Sequence, residues 1–258
     1  MSPLPDWLIG TSLKMYMSHA QTTDWAITVN ELTHAHSMFT SGTAELVVLP
    51  QFPSIPACLD LTGPLQVGAQ NLSAEDAGAW TGEVSGAVLA ELGCRYVEVG
   101  HAERRRHFHE TEAVIRAKTA AAMRHGLIPI LCVGEEAEGS PEAAAAEVVT
   151  QIHSALSALT DGLPTRGAVV IAYEPMWAIG APQPADPAHI TAVCKAVRSS
   201  NQLPALDFRL IYGGSAGPGL LTELGFAVDG LFLGRFAHDP HSLSKILDEL
   251  ADVIMLKS

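Results

Sequence analysis

The sequence predicts an α/β fold: a closed barrel of eight parallel strands, each followed by a helix, with residues 1–258 forming a single domain. Short apolar runs alternate with longer helical patterns along the whole chain, and no polar linker divides it. Several runs show little alternation of polar and apolar residues, which is typical of strands covered on both faces. The length of 258 residues fits eight such units. An open, doubly wound sheet is the alternative fold.

The eight predicted strands are short and lie in the order that a barrel requires. Each is followed by a loop and then by a helical pattern, so the carboxyl ends of all eight strands should meet at one face. The predicted strands cover residues 7–10, 45–49, 65–70, 96–99, 127–132, 167–173, 208–212 and 230–233.

The helices between the strands have recognisable ends. Ser140, Asp186 and Asp239 each precede a proline, which predicts a helix N-cap with proline at the first helical position. Gly126 follows two cationic residues and predicts a helix C-terminus. The helix predicted over residues 141–160 has one apolar stripe. The stripe consists of Ala144, Val148, Ile152, Leu156 and Leu159.

The composition restricts the class of partner. The hydrophobic fraction of 48% is ample for a large core, and the formal net charge is −13. Nucleic acids and anionic membrane surfaces are therefore excluded as expected partners, because both require a basic surface. A small anion can still bind, provided that backbone N–H groups and one or two cations hold it locally.

The four cysteines are scattered and match no metal-site spacing, so we expect no metal and reduced thiols. The first residues lack the basic and apolar regions of a signal peptide, and no apolar stretch approaches a membrane span. The sequence therefore predicts a cytoplasmic protein.

A carboxylate follows the sixth predicted strand. Glu174 comes at the strand's carboxyl end, and Pro175 biases it away from helical geometry. The next residues, 177–180, are apolar, whereas a solvated loop would be polar. An apolar loop beside a lone carboxylate indicates a lid that closes over a base and expels water. The alternative is a core carboxylate that caps the next helix.

Two further strand ends carry chemically useful residues. Lys14 follows the first strand and can supply positive charge to a phosphate or a developing oxyanion. His101 follows the fourth strand and can act as an electrophile or proton shuttle, and Glu103 can anchor the lysine or pair with an arginine. Glu98 is unusual as a carboxylate within an apolar strand, and we expect it to face the barrel interior and pair with a basic group.

The loops after the last two strands favour phosphate binding. Gly213, Gly214 and Ser215 follow the seventh strand, and Gly234 and Arg235 follow the eighth. Adjacent glycines let backbone N–H groups approach an anion, and these two loops are the usual phosphate site of such barrels. A tight turn would also use two glycines, but the coincidence of both loops favours a phosphate site.

Together these residues resemble the triosephosphate isomerase family over nearly the whole chain, which implies the TIM-barrel fold. The resemblance is carried by five ordered matches. They are VGAQN at 67–71 with GAWTGEV at 78–84, GHAERR at 100–105, LCVGE at 131–135, YEPMWAIG at 173–180 and YGGS at 212–215.

The resemblance implies a role for each matching residue. Glu174 would remove a proton from the carbon next to a carbonyl, and neutral His101 would polarise that carbonyl and shuttle protons between oxygens. Lys14 would favour the anionic substrate and the enediolate, with Glu103 as its support. Backbone N–H groups near Gly180, Ser215 and Gly234 would hold the phosphate. The family needs no cofactor, and its loop matching residues 70–84 reaches into a partner subunit, which implies a homodimer.

Several positions depart from the family's pattern. Ser12 stands where an asparagine that bonds the substrate is usual, and Ala102 replaces a serine. The lid ends in residues 181–183, APQ where TGK is common, so its second hinge is stiffer. Arg235 replaces the second glycine of the last phosphate loop. It can grip phosphate, form a salt bridge, or fill space meant for another substrate.

Two substrates and one inactive alternative follow from the resemblance. The default is a glycolytic and gluconeogenic type of enzyme that interconverts dihydroxyacetone phosphate and glyceraldehyde 3-phosphate. The first-strand segment GTS before Lys14 and the final GLFLGR at 230–235 are similar to isomerases of tetrulose phosphates such as L-erythrulose 1-phosphate. A silent barrel that only binds a phosphorylated metabolite or a protein would explain Ser12 and Arg235, but not an intact base and electrophile.

Overall fold

The computed structural model describes residues 4–157, 167–181, 183–200 and 206–256. Within these ranges the chain forms eight strands. They are β1 (Trp7–Ser12), β2 (Ala44–Leu49), β3 (Gln66–Ala69), β4 (Tyr96–Val99), β5 (Ile128–Val133), β6 (Ala168–Tyr173), β7 (Asp207–Tyr212) and β8 (Gly230–Leu233).

The strands close into one barrel in chain order. Each strand pairs in parallel with the next, and β1 pairs with β8 to complete the ring. Closure excludes the open, doubly wound alternative and confirms the predicted barrel. It also brings all eight carboxyl ends, and the loops that follow them, to one face.

Helices cover the outside of the barrel. They are α1 (His19–Ala35), α2 (Ser37–Thr40), α3 (Ile55–Leu59), α4 (Gly86–Leu92), α5 (Ala102–Phe108), α6 (Glu112–Arg124), α7 (Pro141–Leu156), α8 (Pro187–Arg198), α9 (Leu220–Leu224) and α10 (Pro240–Met255). The predicted N-caps are confirmed: the side chains of Ser140, Asp186 and Asp239 each accept backbone N–H groups of the helix that follows.

The barrel buries apolar side chains on both faces of its sheet. One cluster fills the interior, with Tyr96, Ile130 and Phe232 among its members. A second, larger cluster lies between the sheet and the helices and includes Val97 and Val99 of β4. Alternate residues of a strand thus face opposite sides, and both sides are apolar. This explains why the sequence shows continuous apolar runs.

The structure refines several predicted boundaries. β1 continues for two residues beyond the predicted end, so Ser12 is the last residue of the strand and not part of the loop. β3 begins and ends one residue inside the predicted range. Helix α7 is described to Leu156, and the predicted stripe residue Leu159 lies outside the described residues. No helix among the described residues is both long and apolar enough to cross a membrane.

Candidate active site

A cavity of about 940 Å³ opens at the face where the strands end. Loops after β1, β4, β6, β7 and β8 all contribute to its wall. The predicted site residues that line it are Ser12, Lys14, His101, Glu103, Glu174, Gly180, Gly213, Ser215, Gly234 and Arg235. Residues predicted from separate strand ends therefore converge on one space. Of the predicted set, Gly214 is not among the lining residues.

Glu174 is fixed at the end of β6 with its carboxylate turned towards the cavity. Its backbone N–H donates to the carbonyl of Val133 on β5 at 2.7 Å. The side chain is buried, and its Oε2 has no hydrogen-bond partner among the described residues. A Cβ added to Gly213 would lie only 2.6 Å from Oε1, so glycine is required there for the carboxylate to fit. Burial and the nearby charge of Glu98 raise the pKa of Glu174 well above its ordinary value.

His101 lies across from Glu174 and is held in one tautomer. It caps α5, where its Nδ1 accepts the backbone N–H of Glu103 at 3.2 Å. The proton of the neutral ring is therefore on Nε2, which lies 3.7 Å from Oε2 of Glu174. Burial and the positive charge of Lys14 lower the pKa of His101 to about 4. At neutral pH the ring is an uncharged donor aimed at the space beside the carboxylate.

Lys14 brings a positive charge to the same space from the loop after β1. Its backbone has a φ of 51°, a left-handed conformation that is unusual for a residue with a side chain. Its Nζ donates to Oε1 of Glu103 at 2.8 Å. Burial alone lowers the pKa of Lys14, but the hydrogen bond to Glu103 and the surrounding carboxylates outweigh it and raise the pKa. The lysine therefore remains charged.

The glycine-rich loops after β7 and β8 form another part of the cavity wall. Gly180 and Ser215 both have positive φ, at 74° and 40°. Ser215 Oγ donates to the carbonyls of Ala178 and Ala181 at 3.0 and 2.8 Å, so the loop after β7 holds the predicted lid. A Cβ at Gly234 would meet no atom within 4 Å, which leaves open space beside that loop.

The lid is also anchored at its first end. Residues Met176–Ala178 form a 3₁₀ turn after Pro175. The indole N–H of Trp177 donates to Oε1 of Glu135 at 2.9 Å, and the hydroxyl of Tyr173 donates to the same atom at 3.1 Å. Glu135 is the last residue of the LCVGE match at 131–135, and its sequence context predicted no function for it. Pro182, on which the stiff second hinge was predicted, lies outside the described residues.

Arg235 lies at the rim of the cavity with an exposed side chain. Its guanidinium carbon lies 5.9 Å from the ring centre of Tyr16, which is within the range of a cation–π contact. It forms no ion pair with a carboxylate among the residues that the structure describes. Tyr16 also lines the cavity, and nothing in its sequence context indicated this.

Glu98 faces the interior, as predicted, and its hydrogen-bond partner is a serine. Ser12 Oγ donates to Glu98 Oε2 at 2.8 Å. The other carboxylate oxygen, Oε1, lies 3.9 Å from Nε2 of His101. A basic side chain is therefore close by, as predicted, but the hydrogen bond is made by a serine, because the closed barrel brings the end of β1 opposite β4 across its interior.

Known proteins match this chain over almost its whole length. The family model for triosephosphate isomerase matches residues 7–250. The chain belongs to the triosephosphate isomerase family. Relatives with two different names match this chain. A protein of Pectobacterium atrosepticum named L-erythrulose-1-phosphate isomerase is 50% identical over 245 residues, 93% of this chain and 94% of the relative.

Two further relatives are 36% and 35% identical to this chain. A protein of Streptomyces avermitilis named triosephosphate isomerase is 36% identical, over 93% of this chain and 95% of its own length. A second protein named L-erythrulose-1-phosphate isomerase, from Rhizobium rhizogenes, is 35% identical over 97% of both chains. The relatives are named as isomerases, in agreement with the predicted class of enzyme.

The shifted pKa values predict which group controls activity at low pH. A base must be ionised to accept a proton, so kcat/KM should fall as pH decreases through the raised pKa of Glu174. Because the pKa of His101 is lowered to about 4, the histidine stays neutral throughout this fall. We expect the acid limb of the kcat/KM profile to lie well above the ordinary carboxylate range and to persist, at reduced rate, in His101→Gln. Loss of that limb in His101→Gln would assign it to the histidine instead.

Proposed function

We propose that this protein isomerises a phosphorylated ketose by proton transfer through an enediolate. One observation carries the proposal: the oxygen Oε2 of Glu174 lies 3.7 Å from Nε2 of His101 across a cavity. A base and an uncharged donor at this separation can act on two adjacent carbons of one bound molecule. The glycine-rich loops after β7 and β8 supply an anchor for its phosphate.

The reaction follows from the charges of the site. Glu174 takes a proton from the carbon next to the carbonyl, while the Nε2–H of His101 and the charge of Lys14 stabilise the oxygen that becomes negative. His101 then moves a proton between the two oxygens, and Glu174 returns its proton to the neighbouring carbon. A carbon acid is weak, so the enediolate needs this fixed donor, this cation and a site closed to water.

We propose L-erythrulose 1-phosphate as the preferred substrate, in place of the triose taken as default from the sequence. The relative with 50% identity bears that substrate's name, whereas the triosephosphate isomerase from Streptomyces avermitilis is 36% identical. Ser12 lines the cavity where the family usually has the larger asparagine, and this leaves room for a fourth carbon.

The four-carbon substrate changes the product but not the steps. In L-erythrulose 1-phosphate the phosphate occupies C1 and the carbonyl C2, so the acidic proton is on C3. The enediolate spans C2 and C3, and return of the proton to C2 gives erythrulose 4-phosphate, a second ketose. Dihydroxyacetone phosphate in the same steps gives an aldose, because its C3 carries no further carbon.

The first experiment compares the two substrates directly. We expect kcat/KM for L-erythrulose 1-phosphate to exceed that for dihydroxyacetone phosphate. The opposite result would make this a triose enzyme with tolerated changes at Ser12 and Arg235. Turnover of neither compound would support the silent barrel and contradict the proposed reaction.

Substitution of Arg235 tests whether this residue, at the rim of the cavity, selects the substrate. The residue stacks near Tyr16 at the cavity mouth, so Arg235→Gly removes both a cation and bulk. We expect the ratio of kcat/KM for the four-carbon to the three-carbon substrate to shift by about tenfold, the size of effect that one pocket contact gives. Equal losses on both substrates would show that the arginine binds phosphate or supports the loop without selecting the substrate.

We also propose that the chain forms a homodimer through residues 70–84. Residues 75–83 of this loop are exposed in the single chain, and Trp80 keeps 54% of its surface accessible. A large exposed aromatic side chain on a projecting loop is suited to insertion into a partner. Light scattering should give twice the monomer mass, and a monomeric result would contradict the proposal.

A further inference from the structure

The reaction described above leaves one buried carboxylate at the site without a role. Glu98 lies on β4, where it faces the interior on the same side as Tyr96. It is 3% exposed, so its charge is removed from water. Burying a carboxylate without a use is costly, because the ionised form loses its hydration. Because this buried carboxylate lies next to His101 and Ser12, which line the cavity, its position indicates a function in substrate binding.

Glu98 lies between two residues that line the cavity. One of its oxygens accepts the Ser12 hydroxyl at 2.8 Å, and the other lies 3.9 Å from Nε2 of His101. The same Nε2 lies 3.7 Å from Oε2 of Glu174. The two carboxylates therefore flank one imidazole nitrogen, and the reacting carbon must lie within reach of that nitrogen and of Glu174.

A four-carbon substrate extends beyond the reacting carbon, and a three-carbon substrate does not. In L-erythrulose 1-phosphate, C3 loses the proton and carries a CH₂OH group, whose oxygen is two bonds further on. Phe232 and Leu233 supply apolar lining to the same cavity. A hydroxyl that enters such surroundings needs a hydrogen-bond partner, because an unpaired one loses its bonds to water.

We propose that Glu98, held by Ser12, accepts the terminal hydroxyl of the four-carbon substrate and so determines specificity. This inference rests on the proposed function. A carboxylate is an acceptor for an O–H donor, and Ser12 Oγ retains lone pairs while it donates to Glu98. Burial raises the pKa of Glu98 to about 7, so the acid form, which can also donate to a hydroxyl, is available at neutral pH.

The test uses two substrates that differ in a single hydroxyl: L-erythrulose 1-phosphate and its 4-deoxy analogue. For the wild-type protein we expect kcat/KM to favour the hydroxylated compound by about 10- to 100-fold, the effect of one hydrogen bond to a charged group. Glu98→Leu should reduce this ratio to near one, and Glu98→Gln should give an intermediate ratio. Ser12→Ala should reduce the ratio by a smaller factor than Glu98→Leu does.

A matched control is Glu45→Gln. Glu45 is also a partly buried carboxylate on a barrel strand, but it pairs with Arg95 and Tyr96 near the amino end of β2. Its substitution should leave the ratio unchanged. Binding of 2-phosphoglycolate, which has a phosphate but no terminal hydroxymethyl group, checks that each variant is folded. If Glu98→Leu fails this check, the isosteric Glu98→Gln carries the test.

The outcomes separate this inference from the proposed function. A wild-type protein that turns over neither four-carbon compound would overturn both this inference and the proposed four-carbon substrate, and this is seen before any variant is made. A wild-type preference for the hydroxyl that persists undiminished in the Glu98 variants would overturn the present inference alone. A ratio that falls equally in Glu45→Gln would also overturn it, because it would show a general effect on the barrel.

Discussion

Replacing Glu174 with glutamine should lower kcat by about a thousandfold or more. The amide has the same shape but cannot accept a proton, and a positioned general base contributes roughly 10²- to 10⁴-fold. Loss of the buried charge also removes repulsion with Glu98, which lies near the same imidazole. Phosphate binding should be nearly intact, since glutamine has the same shape and leaves the glycine-rich loops in place. The measurement is kcat alongside the affinity for 2-phosphoglycolate.

The conservative variant Glu174→Asp separates chemistry from position. It keeps a base but withdraws it by one methylene group, and a displacement of about 1 Å can cost about a hundredfold. The space that glycine at position 213 leaves free fits the longer side chain of glutamate. Unchanged turnover in both variants would eliminate Glu174 as the base. Loss of phosphate binding together with turnover would indicate a structural role.

Replacing Lys14 with methionine should lower kcat/KM by about 10²- to 10³-fold, the effect of removing one fixed group that stabilises developing charge. The loss should appear both in KM, because the substrate is an anion, and in kcat, because the enediolate carries more charge than the ketone. Methionine has a side chain of similar length. Neither side chain is branched at Cβ, so the left-handed φ of 51° is about equally unfavourable for both residues.

Two companion variants show whether charge or packing is responsible. Lys14→Arg keeps the positive charge and should retain more activity than Lys14→Met. Glu103→Gln removes the carboxylate that accepts from Nζ at 2.8 Å but leaves the lysine charged, so it should cost less than Lys14→Met. Activity of Lys14→Met within a few-fold of the wild type would show that the lysine does not stabilise the reacting oxygen.

Much of this site could be located from the sequence because its residues stand at strand ends. Lys14, His101 and Glu174 each follow an apolar run within a few positions. Once the runs are recognised as strands of one parallel barrel, their carboxyl ends must meet at one face. The helix caps at Ser140, Asp186 and Asp239 were found for a related reason, since a cap and its helix are contiguous in the chain.

The partners of these residues required the tertiary structure. Ser12 and Glu98 are 86 positions apart, and Trp177 and Glu135 are 42 apart. Each pair meets across different strands or loops of the closed barrel, at a register that local patterns do not encode. The sequence predicted a basic partner for Glu98 because buried carboxylates are generally paired with cations, and it could not show that a serine lies there.

The sequence by itself therefore determined the fold, the family and the face of the barrel on which the chemistry lies. These depend on periodicity, strand order and residues adjacent to strand ends, all of which are local in the chain. Only the tertiary structure decided that Glu98 lies beside His101 and that Gly213 is packed against the carboxylate of Glu174. It also decided the protonation of the site, because pKa shifts arise from burial and from charges that folding brings together.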